Sequence, residues 1–426
     1  MTSRERAAAQ LASKIADKTA VCTSIGLGFI GTTVTDALIA HGFETHSYDR
    51  SAEVAARYQD NGPGHLPADS KPWSVGTDEA VLDRADVVFV AVRGLIRPDR
   101  TLNLDPFRSV AEALRRHPRP EGRLILMEST LPPGSTRIWA REWLGATEAD
   151  PIFICHSPER LSVGHTWKDF ARIPHLVGGL DDASTALGAA LLGQLVTTVM
   201  PVSAPEVSEL SKLLENAFMT VGISLIAEIT RLAHGLDVTA DEVCRAAGTK
   251  PFGYFAFGPG PGIGGHCLPN DLQILRHAAL SQGWSSAMLD GVNDAKDRMP
   301  GVALDRLDKL AGGLAPGSRV LIVGVGFKPG SADLSDTPAY EIVRELRHRG
   351  HVPVYLDSRV PGFQTDGVPV AEITAADLAT ERFPAALLLA GDASATAEAV
   401  EASCTAILDG GGGRILRGSW TRAARL

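Results

Sequence analysis

The chain has 426 residues and a formal net charge of −9, a length that favours two or three domains over one core. Its 44% hydrophobic and 21% charged residues are typical of a soluble globular protein, and no Lys/Arg block predicts a nucleic-acid polymer as partner. Five widely spaced cysteines fit neither a disulfide framework nor a zinc site, which favours a reducing, cytoplasmic location. With no secretory signal pattern and no run near roughly 18 apolar residues, we expect no membrane association.

From residue 20 onward, short apolar runs alternate with amphipathic segments, which is typical of βαβ units on a parallel sheet. Residues 1–19 precede this alternation and predict an added amphipathic helix. The predicted strands of this first block are residues 20–28, 44–49, 85–92, 123–129, 151–157, 175–178 and 197–200.

Near residue 201 the alternation gives way to a helical pattern that ends at Gly235. About 30 helical residues span on the order of 45 Å, which is long enough to connect two domains. More helix follows, interrupted by the loop 258–270, and the linker 311–318 introduces a second α/β block with strands at 319–326, 352–357, 385–391 and 405–410. The sequence therefore predicts an α/β fold with two Rossmann-like parallel-sheet domains, joined by a long central helix and a small all-helical domain.

A glycine-rich turn follows the first predicted strand and opens a helix, in the order Gly26, Leu27, Gly28, Phe29, Ile30 and Gly31. The first glycine permits the tight turn, the second lets a pyrophosphate approach, and the third allows helix and strand to pack closely. Asp49 ends the second strand 18 residues past Gly31, where a carboxylate accepts hydrogen bonds from ribose hydroxyls. Its charge would repel a 2′-phosphate, so NAD is favoured over NADP, although the adjacent Arg50 leaves NADP open. The alternative is a glycine turn in an α/β domain without a ligand.

The second unusual segment runs from Gly258 to Asp271 and contains glycines at 258, 260, 262, 264 and 265. Such a backbone is expected to close tightly around a ligand, because little room is left for side chains. Cys267 lies just before a helix predicted to begin near Pro269, and a thiolate is favoured near a helix N-terminus. Cys267 is thus a candidate nucleophile, whereas the other four cysteines are interpreted as inert; a buried inert thiol is the alternative for Cys267 too.

With this loop the chain resembles the nucleotide-sugar dehydrogenases, a family that includes UDP-glucose 6-dehydrogenase and the UDP-N-acetylhexosamine dehydrogenases. The resemblance runs from about residue 20 to the last strand, and the segment 258–267 is similar to the hexosamine branch because His266 precedes the cysteine. It implies an NAD-dependent oxidation of a sugar C6 alcohol to a carboxylate in two hydride transfers, with Cys267 carrying a thiohemiacetal and then a thioester.

The same resemblance implies roles for residues elsewhere in the chain. Thr130, in the run 128–134, is placed near the nicotinamide and the catalytic water, and Glu159, in the run 157–164, handles that water. Lys212 and Asn216 hold the alkoxide and oxyanion from one helix face, and Asp271 assists proton transfer. Taken singly, Lys212 would be an ordinary solvated helix residue and Asp271 a favourable charge in a first helical turn.

For the substrate, the resemblance implies binding by Lys328, in the run 327–333, and by the segment before the glycine loop. The implied substrate-binding residues are Phe252, Gly253, Tyr254, Gly264, Gly265, His266 and Lys328. The chain departs from the family where an arginine is usual two residues after Asp333, since Ser335 stands there. This departure leaves substrate choice open.

The resemblance assigns functions to the predicted parts of the chain. Residues 1–19 form an N-terminal helical extension, 20–202 an NAD-binding Rossmann domain, 203–310 a central helical dimerisation domain with the cysteine loop, and 311–426 a Rossmann-like UDP-binding domain. The expected protein is a homodimer through the central helix that oxidises a UDP-sugar, with an N-acetylhexosamine slightly preferred over glucose. Two alternatives are the same chemistry on another nucleotide-linked alcohol and a nucleotide-sugar binding protein without turnover.

Overall fold

The structure is a computed structural model that describes residues 1–61, 70–97, 101–161, 166–328, 330–390, 397–410 and 423–425. Parts of the sequence motifs at 157–164 and 327–333, the end of the strand predicted at 385–391 and most of the C-terminus lie outside these residues. The chain divides into two compact units, one of residues 1–215 with 273–278, and one of residues 216–272 with 279–426. The domain borders at 19, 202 and 310 stay predictions.

The first unit is an α/β structure built on one large sheet. Its strands are β1 (Val21–Ile25), β2 (Glu44–Tyr48), β3 (Trp73–Gly76), β4 (Val87–Val90), β5 (Leu95–Ile96), β6 (Leu102–Asn103), β7 (Arg123–Met127), β8 (Ile152–His156), β9 (His175–Gly179) and β10 (Val199–Val202). Its helices are α1 (Ser3–Ala16), α2 (Phe29–Ala40), α3 (Ala52–Asn61), α4 (Asp105–Arg116), α5 (Ser135–Ile138), α6 (Trp167–Phe170) and α7 (Asp182–Leu195), with a 3-10 turn at Glu79–Asp83 and a π-helical turn at Trp139–Leu144.

The large sheet has the strand order β10-β9-β8-β7-β4-β1-β2-β3, and β5 and β6 pair separately. The apolar runs form its core because strands covered by helices on both faces bury every side chain. The expectation of an all-parallel sheet is wrong at one pair, since β8 and β9 are antiparallel while β9 and β10 are parallel. The chain therefore reverses its direction across the sheet between β8 and β9. The strand β3, at the other edge of the sheet, was not predicted from the sequence.

The predicted N-terminal helix is confirmed as α1, which is capped by Thr2 and Glu5. Its apolar face, formed by Ala7, Leu11 and Ile15, is part of the main core of this unit. Lys14 on the same helix forms an ion pair with the buried Asp86 at 2.8 Å. The extension is therefore packed into the Rossmann domain.

The long helix α8 (Pro205–Gly235) ends where the sequence predicts, and it contributes residues to both units. By length and composition alone it could cross a membrane, contrary to the sequence expectation, with a mean hydropathy of 1.4 over its most apolar window. Of that window 44% is buried inside the protein, and buried core helices pass the same test. Six apolar residues of α8 are exposed, at positions separated by 3, 4, 4, 7 and 7: Val207, Leu210, Leu214, Phe218, Leu225 and Leu232. These intervals place them on one face of the helix.

The second unit contains helices and a second, smaller parallel sheet of order β15-β12-β11-β16-β17-β18. Its further helices are α9 (Ala240–Ala247), α10 (Cys267–Ser281, shared with the first unit), α11 (Ala287–Ala311), α12 (Ala339–His348) and α13 (Ala397–Ser403). Its strands are β11 (Arg319–Val323), β12 (Val352–Leu356), β13 (Gln364–Thr365), β14 (Val368–Pro369), β15 (Ala371–Glu372), β16 (Phe383–Leu388), β17 (Cys404–Asp409) and β18 (Ala423–Arg425), with a 3-10 turn at Asp377–Ala379. The four strands predicted for this block are confirmed as β11, β12, β16 and β17.

Candidate active site

The predicted glycine turn lies between β1 and α2, and each glycine meets a different steric requirement. Gly26 has a φ of +94°, and a Cβ there would lie 2.8 Å from the Ala91 carbonyl oxygen. At Gly31 a Cβ would lie 1.7 Å from the Gly26 carbonyl oxygen, whereas at Gly28 it would meet nothing within 4 Å. Gly28 is also the N-cap of α2 and, as a glycine, has no side chain that would cap the first N–H groups of the helix. The turn thus combines close strand–helix packing with open space for a phosphate before a helix N-terminus.

Asp49 lies at the end of β2, next to this turn. Its carboxylate accepts hydrogen bonds from the backbone N–H of Leu27 and of Ser51, both at 2.8 Å. Asp49 is therefore held against the turn that a dinucleotide would contact, while the neighbouring Arg50 is exposed. Phe29 and Ile30, the first two residues of α2, are half-buried. These groups fit the phosphates and the adenosine ribose of a dinucleotide.

The carboxyl ends of β7 and β8 bring two acidic residues together in the first unit. Glu128 follows β7, and its carbonyl oxygen accepts the Glu159 N–H at 3.3 Å. The Glu159 carboxylate accepts through Oε1 from the N–H of Arg160 at 2.6 Å and of Leu161 at 2.5 Å. Burial raises the pKa of Glu159, whereas these two N–H groups and the positive charges of Lys212 and Arg160 act to lower it. The predicted pair of Glu159 and Lys212 thus interacts electrostatically in this unit.

Thr130 lies in the half-buried loop after Glu128, and this loop is fixed by groups that the sequence did not single out. His156 is fully buried, with its Nε2 3.2 Å from the Ser129 carbonyl oxygen and its Nδ1 2.8 Å from the Ser208 hydroxyl. Burial lowers the pKa of His156 to about 4, so its neutral ring donates from Nε2 to the carbonyl. His156 therefore links the Thr130 loop to α8.

A second link to α8 is made by Glu209, which is completely buried. Its carboxylate accepts from the Gly134 N–H at 2.6 Å, the Thr136 N–H at 2.8 Å and the Thr136 hydroxyl at 2.6 Å. Burial raises the pKa of Glu209 to about 7, although these hydrogen-bond donors act to lower it. The sequence could have indicated Glu209, because it lies three residues before Lys212 and residues at this spacing lie on the same face of a helix.

Lys212 and Asn216 lie one turn apart on α8, as the sequence predicts. In the second unit Asn216 is buried, and its side-chain amide donates to the carboxylate of Asp271, which is also buried. The structure therefore brings two of the predicted site residues, from α8 and α10, into direct contact. The sequence could not predict this contact because the two residues are 55 positions apart.

Cys267 is exposed and is the first residue of α10. The prediction that this helix begins near Pro269 is wrong by two residues. Proline is tolerated in a first helical turn because the backbone N–H groups there have no partner within the helix, so Pro269 does not delay its start. One turn further on, the Asn270 side-chain amide lies 3.0 Å from His266 Nδ1. The cysteine thus begins a helix whose first turn is joined to the residue before it.

Three glycines of the loop before Cys267 approach protein atoms of the second unit. A Cβ would lie 2.8 Å from Pro338 Cβ at Gly262, 2.9 Å from Pro338 Cδ at Gly264, and 2.9 Å from the Phe327 ring at Gly265. At Gly258 a Cβ would meet nothing within 4 Å. The expectation that these glycines serve a ligand alone is therefore incomplete, because three of them make room for the segment between Phe327 and Pro338.

Comparison with known proteins decides the family. A model of the UDP-glucose/GDP-mannose dehydrogenase family NAD binding domain matches residues 68–196, and the model of the same family's central domain matches residues 206–298, together more than half of the chain. The chain belongs to this family. It is an NAD-dependent nucleotide-sugar dehydrogenase, and NAD is its cofactor.

The dehydrogenase is similar along most of its length to other proteins named as nucleotide-sugar dehydrogenases. It is 28% identical to a UDP-N-acetyl-D-mannosamine dehydrogenase of Pyrococcus horikoshii, over 76% of this chain and 80% of the relative. It is 25% identical to a putative UDP-glucose 6-dehydrogenase of Bacillus subtilis, over 76% and 78%. A solved structure of UDP-D-ManNAc dehydrogenase from Pyrococcus horikoshii has a TM-score of 0.82 at 22% identity, covering 95% of this chain and 98% of that one. The α/β fold with Rossmann-like parallel-sheet domains is thereby confirmed.

Ser335 stands where the resemblance to the family implies an arginine. Its N–H and hydroxyl both donate to Asp333 Oδ1, at 2.8 and 2.6 Å. Its carbonyl oxygen accepts the Gly265 N–H at 2.9 Å. In this dehydrogenase the position therefore closes a turn and holds the loop that precedes the cysteine.

The remaining predicted substrate residues lie at the surface of the second unit. Lys328 is exposed, with Nζ 5.2 Å from the centre of the Phe327 ring. Phe252 is exposed beside Lys250, Gly253 adopts a φ of +66°, and Tyr254 is half-buried. Their contacts with a substrate stay predictions, as do those of Gly264, Gly265 and His266.

Proposed function

We propose that this dehydrogenase oxidises the C6 alcohol of a UDP-sugar to a carboxylate through a covalent intermediate on Cys267. The observation that carries the proposal is an exposed cysteine at the first residue of a helix, in a chain of this family. The helix dipole favours the thiolate, the form in which cysteine is a nucleophile. NAD, when bound, accepts one hydride in each of two successive oxidations.

In the proposed reaction the cysteine forms one covalent bond to the sugar and is released from it in each turnover. After the alcohol has lost a hydride and a proton, the thiolate adds to the aldehyde carbon, and the resulting alkoxide takes up a proton to form a thiohemiacetal. Loss of a second hydride and proton gives a thioester, and water then breaks the C–S bond, which returns the thiol and releases the acid. Each sugar therefore consumes one water and reduces two NAD.

Groups within each unit support this assignment separately. In the first unit, Glu159 takes a proton from the attacking water, and Lys212 carries positive charge for the developing alkoxide. Thr130 lies on the loop that His156 and Glu209 fix to α8. In the second unit, Asp271 orients the Asn216 amide, which leaves that amide's second N–H to donate to an oxyanion.

For the sugar we propose an N-acetylhexosamine in slight preference to glucose, because His266 precedes the cysteine. Relatives named as UDP-N-acetyl-D-mannosamine dehydrogenases agree with this choice. The second candidate is the same oxidation of another nucleotide-linked alcohol, which Ser335 favours, since its side chain binds Asp333 and offers no positive charge to a substrate.

The test is the amount of NADH formed per mole of substrate by the purified protein, measured separately with UDP-N-acetylhexosamines, UDP-glucose and other nucleotide-linked alcohols. We expect two NADH for the preferred sugar, together with the uronic acid. One NADH per sugar would contradict the cysteine stage, and tight binding without NADH would favour a binding protein. Turnover only with a different nucleotide-linked alcohol would support the second candidate.

We also propose that the protein is a cytoplasmic homodimer formed through the exposed face of α8. That face carries the six apolar residues from Val207 to Leu232, and a contiguous apolar stripe of this length is uncommon on a monomer's surface. A self-complementary helix pair related by a two-fold axis would cover it.

The dimer is tested with Leu214→Glu, which places a charge in the middle of that face, where the leucine is 65% exposed. We expect wild type to have the mass of a dimer by light scattering and the variant to have that of a monomer. Leu280→Glu on α10, where the leucine is 62% exposed, is the matched control and should stay dimeric. A monomeric wild-type protein would refute the proposal.

A further inference from the structure

Glu128 is a buried acid for which the proposed mechanism has no role. It is 3% exposed, it follows β7, and neither of its carboxylate oxygens has a hydrogen-bond partner among the described residues. An ionised carboxylate in such a place lacks both water and donors, and this is among the least favourable arrangements in a protein. The protonated, uncharged form of the Glu128 side chain is therefore favoured.

Among the described residues, the groups around Glu128 offer no compensating positive charge. Across the sheet, β8 presents the buried Cys155 thiol, and the segment after β8 presents Ser157 and Glu159. The Ser157 N–H donates to the Met127 carbonyl oxygen, which places Ser157 beside Glu128, and its buried hydroxyl has no described partner. The charge that acts on Glu128 is the second carboxylate, Glu159, and burial together with that charge raises the pKa of Glu128 well above its ordinary range.

Glu159 differs from Glu128 in what surrounds it. Two backbone N–H groups donate to its Oε1, and the cations of Lys212 on α8 and Arg160 act on it, with Arg160 also paired to Glu215 of α8 at 2.6 Å. Its Oε2 is buried without a described donor. Of the two carboxyl groups, Glu159 is therefore the one that can carry the negative charge.

We infer that Glu128 and Glu159 form an acid pair that holds one proton, and that this proton stays on Glu128, which leaves Glu159 as the ionised member of the pair. Two buried carboxylates side by side cannot both ionise at low cost, so the pair titrates as a unit. Glu128 is a positioning residue, because it acts on the proposed base and not on the substrate. The inference rests on the proposed function only in calling Glu159 the base.

The proton itself can be observed without turnover, by infrared spectroscopy of the carbonyl stretch of a protonated carboxylic acid at neutral pH. We expect wild type to show this band, with a shift to lower frequency in D₂O. Glu128→Gln should lose one component of the band and keep the component of Glu209, which is partly protonated at neutral pH because its pKa is about 7. Glu159→Gln should keep both components. Glu142→Gln, which changes an exposed residue of the π-helical turn, is the control and should keep the band.

Three results would overturn the inference: no band in wild type, a band of unchanged intensity in Glu128→Gln, or a component of the band lost only in Glu159→Gln. The wild-type spectrum decides the first case even where a variant fails to fold. If the protein turns over UDP-sugars, the acid limb of its rate–pH profile should not move in Glu128→Gln, since glutamine mimics the neutral acid. A move of that limb to lower pH by about one unit or more would mean that Glu128 is charged in wild type. An inactive protein that keeps the band would contradict the proposed function but not the acid pair.

Discussion

Cys267→Ser is expected to abolish formation of the uronic acid while NAD binding stays unchanged. A serine hydroxyl in this position is a far weaker nucleophile than a thiolate, and its ester would not replace the thioester at a comparable rate. Loss of an essential nucleophile lowers turnover on the order of 10³-fold or more. The substitution leaves the glycine turn before α2 intact, because that turn lies in the other unit.

The measurement combines the rate of acid formation with the dissociation constant for NAD. Cys404→Ser is a suitable control, because Cys404 is half-buried on β17, at a distance of 137 positions from Cys267 in the chain, and its thiol lies beside Ser403. The control should keep wild-type turnover. Acid formation by Cys267→Ser at the wild-type rate would refute the nucleophile, whereas loss of NAD binding would mean that the substitution disturbs more than the thiol.

Much of the fold follows from local patterns in the sequence. The strand β4 and, after Arg123, the strand β7 are apolar runs in which every side chain is buried, and such runs are typical of sheets covered on both faces. The end of α8 at Gly235 follows from periodicity alone. The antiparallel pairing of β9 with β8 does not, because the direction of a strand depends on the path of its connection and leaves no mark in the strand itself.

The sequence predicts which residues belong to the candidate site but not which of them contact one another. The glycine loop illustrates why: its glycines at 262, 264 and 265 predict close approach, but the partners Phe327 and Pro338 lie more than 60 positions away. Likewise, the contact of Asn216 with Asp271 depends on how α8 and α10 pack. Contacts between distant segments are set by tertiary packing, which a single sequence does not encode in a local pattern.

The burial of Glu128 could not be predicted from the sequence either. A glutamate directly after an apolar strand is ordinarily expected at the surface, since charged residues are almost never fully buried without a partner. The structure instead buries it at the end of β7, next to a second acid. Burial of a charged residue against its own tendency is expected where function constrains the site.

This burial has a measurable effect on stability, and Glu128→Gln is expected to stabilise the protein increasingly as the pH rises. In the unfolded chain Glu128 loses its proton near its ordinary pKa of 4.5, whereas in the folded protein its pKa is raised well above that value. Between these two pKa values folding takes up a proton, so the stability contributed by the protonated group is lost as the pH rises. Glutamine has a similar size and no such proton to bind.

The difference in the free energy of unfolding between Glu128→Gln and wild type should therefore grow by about 1.4 kcal/mol per pH unit above 4.5, up to the folded pKa of Glu128. Urea unfolding from about pH 5 to about pH 8 measures it, and Glu142→Gln should show no such trend because that side chain is exposed in both states. A difference that is independent of pH would mean that Glu128 ionises as readily in the folded protein as in the unfolded chain. A difference that shrinks as the pH rises would mean that its charged form is stabilised by folding, and in either case a carboxylate pair with one proton could not exist at this end of the sheet.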